Sequence, residues 1–132
     1  MTSAANEIFY VDDSPDDLLL VNYQMRSGSF DIVLKTFSTG IAVMMDMERR
    51  LARAERLPAL VVADFYMPVV DGPELFRLIR ANGRFDTVRL ASCSGGDDPN
   101  DKQSARQAGA EFFLDKPLNL ALCQEILAGT RA

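Results

Sequence analysis

The chain has 132 residues, 48% of them hydrophobic, and a net charge of −5, which is enough for one sizeable core and too little for a second folded domain. Acidic and basic residues are interspersed, without the long basic run that would neutralise a phosphate backbone, so direct nucleic-acid binding is disfavoured. Met1 to Glu7 carries no basic leader pattern, and no apolar run approaches the roughly 18 residues that span a bilayer.

In chain order, five short apolar runs stand out: Ile8–Val11, Ile32–Phe37, Ala59–Ala63, Val88–Cys93 and Glu111–Leu114. Each is followed by turn residues and a longer stretch of helical periodicity. Ser14-Pro15-Asp16-Asp17 supplies an N-cap, a proline at the first helical position and acids for the dipole, and Leu18, Val21 and Met25 make one buried stripe. A second helix begins at Thr39-Gly40 and is expected to run through Arg49, Arg50, Arg53 and Arg56 to Pro58, its arginine-rich end a solvated face. Gly72-Pro73 opens a third helix through Ala81, Asp98-Pro99 a fourth ending near Ala108-Gly109, and Leu118 to Leu127 forms the last. This rhythm predicts an α/β fold, (βα)5, with a five-stranded parallel sheet doubly wound between helices. Continuous runs such as Leu60–Ala63 suit strands covered on both faces. Cys93 and Cys123 lie in apolar segments of a chain without histidine or a CxxC pair, so reduced structural thiols in a cytoplasmic protein are expected. The domain is expected to fill residues 1–132, with a core of about 6–129 and no output domain.

Ligands of an open parallel sheet bind outside the carboxyl ends of its strands, where the strand order reverses. Asp12 and Asp13 follow the first run, Asp64 the third, Ser94 ends the fourth and Lys116 the fifth. Carboxylates about 4 Å apart repel by roughly 4 kcal/mol at an effective dielectric of 20, so this convergence demands protonation or a cation. Lys116 offsets one charge. An all-oxygen site with room for water and phosphate suits Mg²⁺, whereas zinc wants thiolate or imidazole. Such a site also suits phosphoryl transfer, which needs positioning and charge neutralisation more than covalent assistance, with Asp64 as the natural acceptor. Singly, each residue has a plainer reading: a turn for Asp12-Asp13 and Asp64, a flexible loop for Ser94-Gly95-Gly96, a solvent-facing lysine for Lys116. Their joint placement at strand ends favours a site.

Val11-Asp12-Asp13, then Asp64-Phe65-Tyr66-Met67-Pro68-Val69-Val70-Asp71-Gly72, then Ser94-Gly95, Gly109-Ala110 and Lys116-Pro117 follow one another in a specific order and spacing. With these motifs the sequence resembles response-regulator receiver domains of two-component signalling, over almost the whole chain. The resemblance implies a flavodoxin-like, CheY-like fold with strand order 2-1-3-4-5 and a phosphoryl group received on Asp64 from a sensor histidine kinase or histidine phosphotransfer protein. It further implies Mg²⁺ held by Asp13, Asp64 and the Tyr66 carbonyl, with Asp12 on a metal-bound water. Ser94 and Lys116 would hold the phosphoryl oxygens, Phe113 would be a switch aromatic, and the Lys116-Pro117 peptide would be cis. Signalling would then pass through the face of the fourth helix, fifth strand and fifth helix, to a partner or a second copy. Fifty-one positions separate Asp13 from Asp64, which implies a long second helix. The Val11–Asp17 opening and the Gly95–Pro99 loop further resemble single-domain regulators that accompany phytochrome-type and related hybrid sensor kinases.

Three other readings compete. A phosphatase of the haloacid dehalogenase type would need a second acid where Tyr66 stands, and without it phosphate release should be slow, so a turnover enzyme is not expected. A flavodoxin-like cofactor binder would need a phosphate-cradling loop where Asp12-Asp13 stand. A pure interaction module would not need chemically competent residues at all five positions.

Overall fold

A computed structural model describes residues 6–129; the ends of the expected 1–132 span lie outside the described residues. Strands β1 (Glu7–Val11), β2 (Val33–Phe37), β3 (Leu60–Asp64), β4 (Arg89–Ser94) and β5 (Phe112–Asp115) alternate with helices α1 (Pro15–Ser27), α2 (Gly40–Ala52), α3 (Gly72–Arg80), α4 (Pro99–Ala108) and α5 (Leu120–Ala128). All strand pairs are parallel, in the order β2-β1-β3-β4-β5. Strand alternation divides the core into two layers. Phe9, Val11, Val61 and Ala63 face Val43, Met47, Leu75, Phe76 and Ile79 of α2 and α3. Ile8, Tyr10, Leu60, Val62, Ala91 and Cys93 face Val21, Leu120, Cys123 and Ile126 of α1 and α5. The central strand β3 is buried along its whole length, as a strand covered on both faces must be.

The helices begin where their caps stand. Ser14 accepts from the Asp17 amide, Thr39 from Ala42, Asp71 from Glu74 and Asp98 from Asn100. Helix α5 starts at Leu120, later than expected, because Asn119 accepts from the Ala121 and Leu122 amides. The unexpected element is a short 3-10 turn, Gly83–Phe85, which drives Phe85 into the core.

Two expectations for the second helix are corrected. Helix α2 stops at Ala52: Ala54 takes a left-handed φ of 55°, its amide bonds the Leu51 carbonyl and the Glu55 amide the Arg50 carbonyl. This two-bond closure satisfies the last carbonyls and leaves Arg53 and Arg56 beyond the helix. Nor is the arginine-rich end merely solvated. Arg50 lies over the Phe9 ring, with its guanidinium on Glu7 and, at 2.7 Å, on Asp46. Asp46 is 4% exposed and also holds Lys35 at 2.5 Å and Arg49 at 3.1 Å.

Candidate functional site at the carboxyl edge of the sheet

Register brings the site residues together. Val11 pairs with Ala63, so Asp12 and Asp64 follow as neighbours at the reversal point of the strand order. Ser94 pairs with Asp115, and the Lys116 amide donates to the Ser94 carbonyl, which brings Lys116 over the same edge. The Lys116-Pro117 peptide is cis. Gly72 lets the loop after β3 fold back on itself: a Cβ there would meet the Asp64 carbonyl oxygen at 2.7 Å.

Asp12, Asp13 and Asp64 each offer a carboxylate oxygen within 4.8 Å of the others. Asp12 and Asp64 are buried and Asp13 is exposed, so the cluster opens to solvent on one side. Lys116 Nζ lies 2.8 Å from Asp12 Oδ2, 2.8 Å from Asp17 Oδ2 and 3.1 Å from Asp64 Oδ1. Burial works against the ammonium, but hydrogen bonds to these three carboxylates raise its pKa. Burial pushes the Asp64 carboxyl up to about 6; the Lys116 hydrogen bond opposes this, and the charges of Asp12 and Asp13 add to it. The Lys116 hydrogen bond holds the Asp17 carboxyl low.

Asp12 accepts from the Ser14 amide on Oδ1 at 2.9 Å and from the Tyr10 hydroxyl on Oδ2 at 2.7 Å. Burial first, and then the neighbouring Cys93 and Asp12, raise the Tyr10 phenol pKa, so it is a protonated donor. Cys93, opposite Asp64 in the sheet, is a buried thiol pushed up to about 12 by desolvation and adds no charge.

The remaining expected residues sit to one side. Ser94 Oγ accepts from the Gly96 amide at 3.1 Å and shares a cleft with Phe65, Asp101 and Phe113. Phe113 is half-buried against the α2/α3 core layer, with the Arg106 guanidinium 4.9 Å from its ring centre. Tyr66 is exposed, lines an open depression with Asp13 and Asp71, and donates its hydroxyl to Asp101 of α4. In sequence Asp17 shows only as a dipole acid at a helix start, and Tyr10 only as part of the first apolar run. The two-residue spacing from Tyr10 to Asp12, which places both on one side of β1, was the available signal.

The donor set fits a hard divalent cation. Only oxygen is on offer, four carboxylates face one ammonium, and the two cysteines are buried neutral thiols.

A doubly wound parallel sheet with an acidic, lysine-bridged cluster at its reversal point defines an α/β domain whose ligand site lies at the carboxyl edge of the sheet. The sequence model of the response regulator receiver domain matches residues 8–128, and the chain belongs to that family. A relative from Leptolyngbya boryana, named an uncharacterized 14.6 kDa protein in the sodA1 3′ region, is 29% identical over 119 residues, covering 89% of this chain and 84% of its own. The two-component response regulator ORR1 of Oryza sativa subsp. japonica is 27% identical over 115 residues, covering 84% of this chain and 49% of its own. The chain thus spans about half the length of this and other curated relatives it matches. Among solved structures, the receiver domain of the sensor histidine kinase PA1611 from Pseudomonas aeruginosa PAO1, with a magnesium ion in its active-site cleft, has 26% identity and a TM-score of 0.76, over 94% of this chain and 95% of its own. The phosphorylated cyanobacterial phytochrome response regulator RcpA, at 21% identity and a TM-score of 0.72 over 94% of this chain and 89% of its own, shares the fold. Among the described residues, no helix is long and apolar enough to cross a membrane.

Proposed function

We propose that this receiver domain accepts a phosphoryl group on Asp64 in a Mg²⁺-dependent reaction, from the phosphohistidine of a sensor kinase or phosphotransfer protein. The observation that carries the reading is the Asp12, Asp13, Asp64 cluster with Lys116 on its buried side. An Asp64 carboxylate oxygen attacks phosphorus, the bond from phosphorus to the donor imidazole breaks, and the imidazole leaves with its electron pair. With a carboxyl raised only to about 6, Asp64 is mostly ionised near neutral pH and ready to attack. Lys116 and the Ser94 hydroxyl bind phosphoryl oxygens on two sides. Asp13, Asp64 and the Tyr66 carbonyl would hold Mg²⁺, with Asp12 on a metal-bound water, and the ion would supply neutralisation of charge on the transferring group.

Tyr66 stands two residues after the acceptor, where a phosphatase of the haloacid dehalogenase type needs its second acid, so release is slow and the domain signals instead of turning over. Ser94 drawn toward the phosphate empties its cleft for Phe113, and the α4-β5-α5 face reads the change, through a partner or as a homodimer. The shared opening and loop favour a phytochrome-type or related hybrid sensor kinase as the donor, in the cytoplasm, with neither nucleic acid nor membrane as a direct partner.

Incubation with acetyl phosphate and MgCl₂ should add one base-labile phosphoryl group, and excess EDTA should abolish it. Labelling that survives EDTA would exclude the metal-dependent reaction. For the switch, size or partner affinity is compared with and without beryllofluoride in wild type, Ser94→Ala and Phe113→Ala; equal responses in all three exclude it.

A further inference from the structure

Tyr10 is 1% exposed, and its ring is rooted in the α1/α5 layer of the core among Ile8, Val62 and Cys93. Packing alone has no use for its hydroxyl. A buried phenol costs free energy unless it is hydrogen-bonded, and phenylalanine would fill the same space without that cost. The hydroxyl is partnered by one atom, Asp12 Oδ2 at 2.7 Å, the same oxygen that lies 2.8 Å from Lys116 Nζ. The other Asp12 oxygen is held by the Ser14 amide at 2.9 Å. Three donors, from within β1, from the start of α1 and from the end of β5, therefore fix the plane of one carboxylate that is 0% exposed.

Of these donors, Ser14 is backbone and Lys116 divides its ammonium among three carboxylates. Of the two side-chain donors, the Tyr10 hydroxyl is the one committed to Asp12, and it carries no charge. Without it, Oδ2 is left to Lys116, the carboxylate gains freedom to turn toward the ammonium, and its geometry relative to Asp13 and Asp64 loosens.

We propose that Tyr10 is a positioning residue for the cation site, orienting the Asp12 carboxylate so that the acidic cluster is preformed for Mg²⁺. The inference rests on the metal reading above and adds to it a residue outside the carboxylate set. Groups that orient metal-site carboxylates from behind are typically worth ten- to a hundredfold in affinity.

The test is calorimetric titration of MgCl₂ into the full chain as wild type, Tyr10→Phe, Asp12→Asn and the double variant, without any phosphodonor. Tyr10→Phe should weaken Mg²⁺ binding roughly tenfold, and adding it to Asp12→Asn should weaken binding no further, since its effect runs through that carboxylate. Tyr10→Leu, which also lacks the hydroxyl, should match the loss, and thermal unfolding in EDTA verifies that each variant is folded. Wild-type affinity in Tyr10→Phe beside a weakened Asp12→Asn would overturn the inference and leave the metal reading standing. Additive losses in the double variant, or a loss in Tyr10→Phe alone, would overturn it too. Unchanged affinity in both single variants would overturn the metal reading and this inference together.

Discussion

Lys116 Nζ stands 3.1 Å from Asp64 Oδ1, so the carboxylate that closes the most deeply buried strand has its counter-charge delivered from the far edge of the sheet. The same ammonium serves Asp12 and Asp17, and the site as a whole stays in excess of negative charge. Attraction of a cation and retention of the fold are therefore coupled in one cluster.

Lys116→Met keeps the aliphatic stem and removes the ammonium. Asp12 and Asp64 are then buried without their counter-charge, at a cost of about 3 kcal/mol in metal-free protein. Urea unfolding in EDTA measures the loss. MgCl₂ should restore part of it, because a bound cation stabilises only the folded state.

Asp64→Asn should have the opposite effect on stability. Burial, with the charges of Asp12 and Asp13 and against the Lys116 hydrogen bond, raises the Asp64 carboxyl to about 6. The folded state thus holds this proton more tightly than the unfolded chain, and ionising it costs stability, in full above pH about 6. Metal-free Asp64→Asn should be more stable than wild type near neutral pH by roughly 2 to 3 kcal/mol. The gap should narrow as pH falls toward about 4. A constant difference across that window would contradict the assignment of the cost to this carboxylate.

Asp46 lies on the inner side of α2, 2.5 Å from Lys35 and 2.7 Å from Arg50. Burial alone would raise its carboxyl, but the Lys35 hydrogen bond and the charges of Arg50, Lys35 and Arg49 carry it below its ordinary value. A depressed folded pKa contributes stability above the unfolded value of about 4 and loses it as pH falls through the folded value. Asp46→Asn should therefore destabilise by about 3 kcal/mol near neutral pH, with the difference closing in acid. Unfolding curves at two pH values check both the size and the sign.

Val69 has φ of 69°, a left-handed conformation that a β-branched side chain resists, and it is 90% exposed, so it gains little from packing. Val69→Gly should stabilise by about 1 kcal/mol, the relief of strain outweighing the added freedom of the unfolded chain. The urea midpoint should rise with an unchanged slope.

Residues whose position follows from a strand end were legible from the sequence. Asp12, Asp64 and Lys116 each close a run of apolar residues, and a parallel sheet brings such ends to one edge whatever the helices do. Asp17 was legible as a helix-start acid but not as a Lys116 partner, because that contact depends on the turn of α1 toward β5. Tyr10 falls inside the first apolar run, and sequence does not show that its hydroxyl ends beneath Asp12. The end of α2 was missed because the left-handed position that closes it is filled by Ala54, where a glycine would have signalled the stop. The burial of Arg50 does not show in sequence because its partner Glu7 lies far away, on β1.

The assignment of Asp64 as the phosphoacceptor is decided by intact-mass measurement of wild type and Asp64→Asn after incubation with acetyl phosphate and MgCl₂. The wild type should gain the mass of one phosphoryl group, released by mild base, and the variant none. Equal labelling of Asp64→Asn, with its circular dichroism unchanged, would contradict it.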